Sequence, residues 1–196
     1  PKNIFYRLEL YSKSFDNLLT VKQDNPNTIE EGSSDSTINE FWDTKGNSWG
    51  VEFLLKKSSG KLNGWLGYTY AEANYFNEPS GWHHPNFDRT HTINIVANYD
   101  LTSEIQTNFG LTMSSGNPYT KIMGRVYDWQ QNLDSDTYWY PVDSYIIGEK
   151  NTERYDDYFR IDIGMTRKKG NLFGVNYDTY WQIMNVTRHL NILSYA

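Results

Sequence analysis

Apolar and polar residues alternate with a period of two along several separate stretches of the chain, and the clearest case is residues 87–119. Ile93, Ile95, Ala97 and Tyr99 share one parity, and Thr92, Asn94, Val96 and Asn98 share the other. After a tight turn at 100–103, Ile105, Thr107, Phe109, Leu111 and Met113 alternate with Gln106, Asn108, Gly110, Thr112 and Ser114. A period of two sends alternate side chains to opposite faces of a sheet, so this stretch predicts two strands joined as a hairpin. The second face is the informative one. A water-facing sheet usually carries Lys and Glu, whereas this face holds almost only Asn, Gln, Thr, Ser and Gly. Each strand also runs about ten residues, against a usual five to six, and about nine to eleven suit a tilted strand crossing a bilayer.

The same alternation predicts strands over 4–13, 47–57, 61–73, 158–167 and 171–184. In the first, Tyr6, Leu8 and Leu10 oppose Arg7, Glu9 and Tyr11; in the second, Trp49, Val51, Phe53 and Leu55 face one way. The third groups Leu62, Leu66, Tyr68 and Tyr70. Phe159, Ile161, Ile163 and Met165 oppose Arg160, Asp162, Gly164 and Thr166, and the last strand aligns Phe173, Val175, Tyr177 and Trp181. Short turns are expected at 58–60, 100–103 and 168–170, a middle-length loop at 74–88, and long loops at 14–46 and 116–157. The first long loop is acidic, and residues 185–196 read as a further loop. No helix and no internal repeat is predicted.

Short and longer connections alternate strictly, which is the pattern of outer-membrane barrels, with turns on one rim and long loops on the other. Aromatic residues fall near strand ends, with Trp49, Tyr68, Tyr70, Phe159 and Trp181 toward the long-loop rim and Tyr99 and Phe173 toward the other. Rings at two levels are expected at bilayer interfaces. Something apolar must cover the apolar face. A second packed sheet would do so, but the uncharged polar face and the strand lengths favour lipid outside and a wet interior. Composition narrows this further. The formal charge of −6 argues against a nucleic-acid partner, and the absence of Cys excludes disulfides and thiolate chemistry. The mean hydropathy of −0.73 and the lack of any apolar run of helix-spanning length exclude a transmembrane helix, but not barrel strands, whose alternation averages out as polar.

A set of short motifs then carries a resemblance. Residues 47–52 (NSWGVE), 64–70 (GWLGYTY), 87–92 (FDRTHT), 115–119 (SGNPY) and 158–162 (YFRID), with Asn185 and Asn191, stand in an order and spacing that resemble the C-terminal part of the β-barrel of TonB-dependent outer-membrane receptors. The resemblance covers nearly the whole chain. It implies an all-β, antiparallel transmembrane barrel of about 22 strands around a plug, of which residues 1–196 supply seven. It also implies uptake of a scarce metal chelate, vitamin or glycan across the outer membrane of a Gram-negative-type bacterium, without cofactor and without chemistry on the ligand, energised by the TonB complex. Two departures matter: the family's N-terminal plug and its closing strand are not among these residues. Seven strands leave open edges that lipid cannot satisfy, so the chain is expected to be a fragment.

Several side-chain groups invite chemistry. Asp88 and His91 in the DRTH run point to opposite faces of a strand, which disfavours an acid–base pair and favours a structural cap made by Asp88 and Arg89. His83 and His84 suit a metal contact only if a loop converges them. Glu52, Arg160 and Asp162 fall on the polar parity and are expected to be lumen-wall charges, as against the paired carboxylates of a glycosidase. Gly50, Gly67, Gly110, Gly164 and Gly174 fall on the same parity, where they permit close approach. The long loop is crowded with aromatic residues. Tyr127, Trp129, Tyr138, Trp139 and Tyr140, with Trp82, His83 and His84 from the neighbouring loop, are the candidates for an outer ligand-binding vestibule, because flat rings give contact area at low entropic cost. The competing expectations are a plugless porin-type barrel and a secreted β-sandwich that binds or cleaves glycans.

Overall fold

The computed structural model describes residues 3–21, 41–131 and 139–192. Every regular element among them is a strand. In chain order these are β1 (Ile4–Val21), β2 (Phe41–Lys57), β3 (Leu62–Asn77), β4 (Gly81–His83), β5 (His91–Asp100) and β6 (Ile105–Ser114). There follow β7 (Pro118–Tyr119), β8 (Ile122–Gln131), β9 (Trp139–Ile147), β10 (Glu153–Arg154), β11 (Tyr158–Leu172) and β12 (Val175–Ile183). The seven long strands form one antiparallel meander, β1-β2-β3-β5-β6-β11-β12, with β4 added beside β3. It is an open sheet: β1 and β12 are its two edges and do not pair with each other.

Register carries the alternation seen in sequence across the sheet. One row of paired residues reads Tyr6, Leu55, Leu66, Ile95, Leu111, Ile161. The adjacent row on the opposite face reads Arg7, Leu54, Gly67, Asn94, Thr112, Arg160. A slip of one residue at any junction would exchange these faces, so the apolar pattern itself fixes register. The apolar face is not covered by other parts of the described chain. Leu10 is 75% exposed and Ile163 48%, whereas Ala73 is buried at 9%.

The strands outrun their sequence-based bounds at the long-loop rim. The stretch expected to be a loop at 14–46 instead continues β1 to Val21 and begins β2 at Phe41, with a register shift between Phe15 and Leu18 where Asn17 takes a φ of 58°. Apolar periodicity fades there because a bulge breaks parity. Likewise, β11 runs through the expected turn at 168–170, shifting register between Arg167 and Gly170, and turns at Phe173 and Gly174, whose φ values are 50° and 83°. Phe173 and Gly174 are therefore turn residues, and Gly174 is not on the polar face of a strand. The expected loop at 116–157 also contains order of its own: β7 pairs β10, and β8 pairs β9 as a separate hairpin.

Glycines and aromatic rings interlock along these strands. A Cβ on Gly170 would meet the Tyr177 ring at 2.6 Å, and one on Gly46 would meet the Tyr75 ring at 2.6 Å. The ring lies over the cross-strand glycine and covers backbone that a side chain would otherwise shield. At Gly170 the three nearest atoms all belong to the Tyr177 ring, which makes this pair separable. Gly170→Val is expected to destabilise the fold by about 1–3 kcal/mol through overpacking. In a Tyr177→Ala background the same change should cost little. Denaturant midpoints of the four species of this cycle check the coupling.

Candidate functional site

The richest side-chain organisation lies at the long-loop rim, where three connections meet. Asp88, in the β4–β5 connection, is 3% exposed and its Oδ1 accepts from the backbone N–H of Ala73 at 2.8 Å. Its other oxygen accepts a short hydrogen bond from Arg154 Nη2. Arg154 Nη1 donates to the carbonyls of Asp88 and Gly116, both at 3.1 Å. Arg154 reaches this position because β10 pairs with β7, Arg154 opposite Pro118. Arg89 points elsewhere, donating from Nε to Asn117 Oδ1 at 2.8 Å and from Nη1 to Ser114 Oγ at 3.0 Å. Gly116 is obligatory: a Cβ there would lie 1.7 Å from the Tyr155 carbonyl oxygen. The rings of Tyr119 and Tyr155 stack beside it, 4.4 Å apart.

Asn151 extends the node. Its side-chain amide donates to the His84 carbonyl and to Asn86 Oδ1, both at 2.6 Å, and its backbone N–H donates to Thr120 Oγ1 at 3.1 Å. Motifs 87–92 and 115–119 are thus the two halves of one hydrogen-bonded knot. Asp88 and His91 do not pair; His91 Nδ1 lies 2.9 Å from the Tyr68 hydroxyl. Sequence reasoning singled out Asp88 and Arg89 but missed Arg154 and Asn151. Asn151 sits in irregular chain and Arg154 in a two-residue strand, and neither leaves a periodic signal.

The histidines serve the same scaffold. His83 is buried, and its Nδ1 lies 3.0 Å from the Gly81 carbonyl, so Nδ1 carries the proton and donates. Burial lowers the pKa of His83, overriding the Gly81 carbonyl, with Lys150 and His84 lowering it further. His84 Nδ1 donates to the Ala73 carbonyl at 3.0 Å and lies 3.5 Å from Asp88. Trp82, 61% exposed, packs on Phe76 with ring centroids 5.4 Å apart. Among the described residues, no three of His, Cys, Asp and Glu are grouped to hold a metal ion.

The vestibule candidates fall on separate elements. Trp82 and His83 lie on β4, which pairs only with β3, whereas Tyr127 and Trp129 lie on the β8–β9 hairpin. Arg125, Tyr127 and Trp129 share one parity of β8, both rings are exposed, and the Arg125 guanidinium lies 5.5 Å from the Tyr127 ring centroid. Trp139 and Tyr140 open β9, pairing by backbone with Gln131 and Gln130, and Tyr138 lies outside the described residues.

On the polar face, Arg160 clasps Asp162 through Nε at 2.8 Å and Nη2 at 2.7 Å. Asp162 Oδ1 also accepts from the Asn185 N–H at 2.8 Å. Glu52 sits four strands away, opposite Glu9, which pairs with Arg7 at 3.3 Å. Four strand spacings amount to about 19 Å, so these residues form two local groups and not one network. Around the Arg160–Asp162 clasp, Asn94, Asn98, Asn108 and Thr112, with Trp65 and Tyr180, line a concavity of about 530 Å³. The tail finishes the wall. Asn191 accepts from the Phe159 N–H at 2.9 Å and donates to the Phe159 carbonyl at 3.1 Å, imitating a neighbouring strand on the part of β11 that β12 does not reach.

Comparison of the chain with family models, with curated proteins and with solved structures finds no match.

The node makes two expectations. Arg154→Met leaves the Asp88 carboxylate buried without its cation, and should cost about 3–5 kcal/mol. Limited proteolysis between residues 84 and 157 is expected to accelerate, and an unchanged cleavage rate would contradict the role given to Arg154. For His83 the folded pKa lies below the ordinary value, so its contribution to stability is present above about pH 6.5 and is lost as pH falls below that value. Unfolding followed from pH 7.5 to pH 5 should show this loss, and His83→Gln should reduce it.

Proposed function

We propose that the chain forms part of the wall of a large antiparallel transmembrane barrel in a Gram-negative-type outer membrane, of the TonB-dependent receptor kind. The observation that carries this reading is the two-faced sheet. Two apolar rows, from Tyr6 to Ile161 and from Leu8 to Phe159, run unbroken across six strands, and the reverse face is rich in amides and hydroxyls and carries the Arg160–Asp162 pair. Apolar side chains on such a face gain roughly 1.5–3 kcal/mol each on leaving water, and lipid covers a wide apolar face without a second sheet. Short turns at 58–61, 101–104 and 173–174 lie on one rim, with the Asp88 node and the β8–β9 hairpin on the other. The open edges at β1 and β12 find partners in further strands of the same wall.

The receptor reading, as against a plugless porin, rests on the motifs at 87–92 and 115–119 and on the knot they build. In this reading the long-loop rim captures a metal chelate, vitamin or glycan. Tyr127 and Trp129 offer rings to it, and TonB energises a plug that clears the lumen. The ligand is moved and not chemically altered.

Because the chain holds no Cys, single-cysteine variants report position cleanly. Cysteines at Leu66, Ile95 and Leu111 should resist water-soluble maleimide in membranes and place an attached dye in lipid. Those at Asn94 and Thr112 should react with the maleimide once the lumen is open. The same protection of the first set in a detergent-free soluble fraction, with no dye reaching lipid, would instead identify the β-sandwich. TonB-dependent ligand uptake in cells, tested with and without the energising complex, separates the receptor from a porin.

A further inference from the structure

We propose that a dent in the apolar face beside the short-turn rim seats an acyl chain of one anionic phospholipid, with Lys57 holding the phosphate. The inference rests on the barrel-wall reading above and adds a specific lipid site to it. The dent arises from one pair of small residues. Gly64 and Ala97 are cross-strand partners, set in a face that is otherwise bulky. Leu55, Leu66 and Ile95 form the wall on one side and Leu62 the wall on the other, enclosing about 250 Å³. Its surface is almost wholly apolar, and its size takes several methylene groups but not a whole lipid.

Gly64 fixes the floor. Its φ is 150°, and a Cβ would lie 2.1 Å from the Val96 carbonyl oxygen, so the backbone there admits no side chain. The gap is therefore built into the strand crossing and is not a chance vacancy among rotamers. Lys57 is the register partner of Gly64 on the other side and lines the dent. Its ammonium lies against the 58–60 turn, near Gly60, and makes no ion pair with a described carboxylate. Asp100, an acidic group of the same rim, is engaged by Gln106 at 2.7 Å and by Lys168 at 3.8 Å. A cation at the water-side end of an apolar slot matches a phosphate above an acyl chain, and a lysine near a membrane surface favours anionic over zwitterionic lipid.

The test places the complete barrel that contains this chain in nanodiscs of equal phosphatidylglycerol and phosphatidylcholine and counts retained lipids by native mass spectrometry after release. The wild type is expected to keep one phosphatidylglycerol in preference to phosphatidylcholine. Lys57→Glu should lower that retention by about fivefold. Ala97→Phe, which fills the dent, should remove the retained lipid of either type, and Ala97→Val serves should the larger ring prevent assembly. Equal retention of the two lipids by the wild type, or wild-type retention in the filled variant, overturns the site while leaving the barrel wall standing. Failure of the wild type to enter nanodiscs at all overturns the barrel wall, and the lipid site with it.

Discussion

The structure depends on one imbalance: its backbone is satisfied and its apolar side chains are not. Each inner strand of the meander has hydrogen-bonded neighbours on both sides, yet Leu8, Leu10, Ile163 and their row-mates meet no packed layer of the described chain. In water this arrangement would forfeit the main favourable contribution to folding. A sheet that pairs so regularly while leaving that contribution uncollected needs an apolar medium or partner as part of its fold. The polar face states the complementary condition. Two of its charge pairs are local, Arg160 with Asp162 and Arg7 with Glu9, and amides and hydroxyls such as Asn94, Asn98, Asn108 and Thr112 on the same face tolerate either water or a packed protein surface.

Order at the long-loop rim is of another kind, since it is made by directional polar contacts and not by burial of apolar area. Asp88 collects a backbone N–H and a guanidinium, Arg154 collects two carbonyls, and Asn151 ties the connection before β5 to the one before β11. An uncompensated buried charge is expensive, so such a knot forms as a unit or not at all. That gives the rim a rigid collar from which the β8–β9 hairpin departs, pairing only with itself. The hairpin thus stands apart from the strands of the main sheet, and the collar is what joins them.

The seven long strands and their register parity were legible in the sequence because period-two alternation reports which face a side chain occupies. Legibility failed wherever a residue broke parity. The bulge at Asn17 hid the upper part of β1, and the shift between Arg167 and Gly170 made a continuing strand look like a turn. Lys168 and Gly170 carry the chemistry of a turn, but the conformation that turns the chain is adopted by Phe173 and Gly174, where Asn171 Oδ1 accepts from the Gly174 N–H at 3.2 Å. Of the candidate site, Asp88 and Arg89 were visible as a motif. Arg154 was not, because its role comes from the two-residue pairing of β7 with β10, too short to leave any periodic trace.

The two edges of the sheet show why the polar tail belongs to the fold. Above Ile163, β11 has no strand beyond it, and its N–H and C=O groups would face solvent or lipid. The segment after β12 covers them: Val186 donates to the Ile161 carbonyl and the Asn191 amide serves both backbone groups of Phe159, while the Asn185 N–H donates to the Asp162 carboxylate. To do so the chain must curl, and Asn185 and Arg188 adopt positive φ values of 52° and 53°. Asparagine accepts that conformation more readily than most residues and can also satisfy a strand edge with its side chain. A partial strand of side-chain amide therefore replaces backbone where the next strand does not reach. The Asp162 carboxylate joins this cap to the Arg160 clasp, so the polar face and the edge are closed by the same residue.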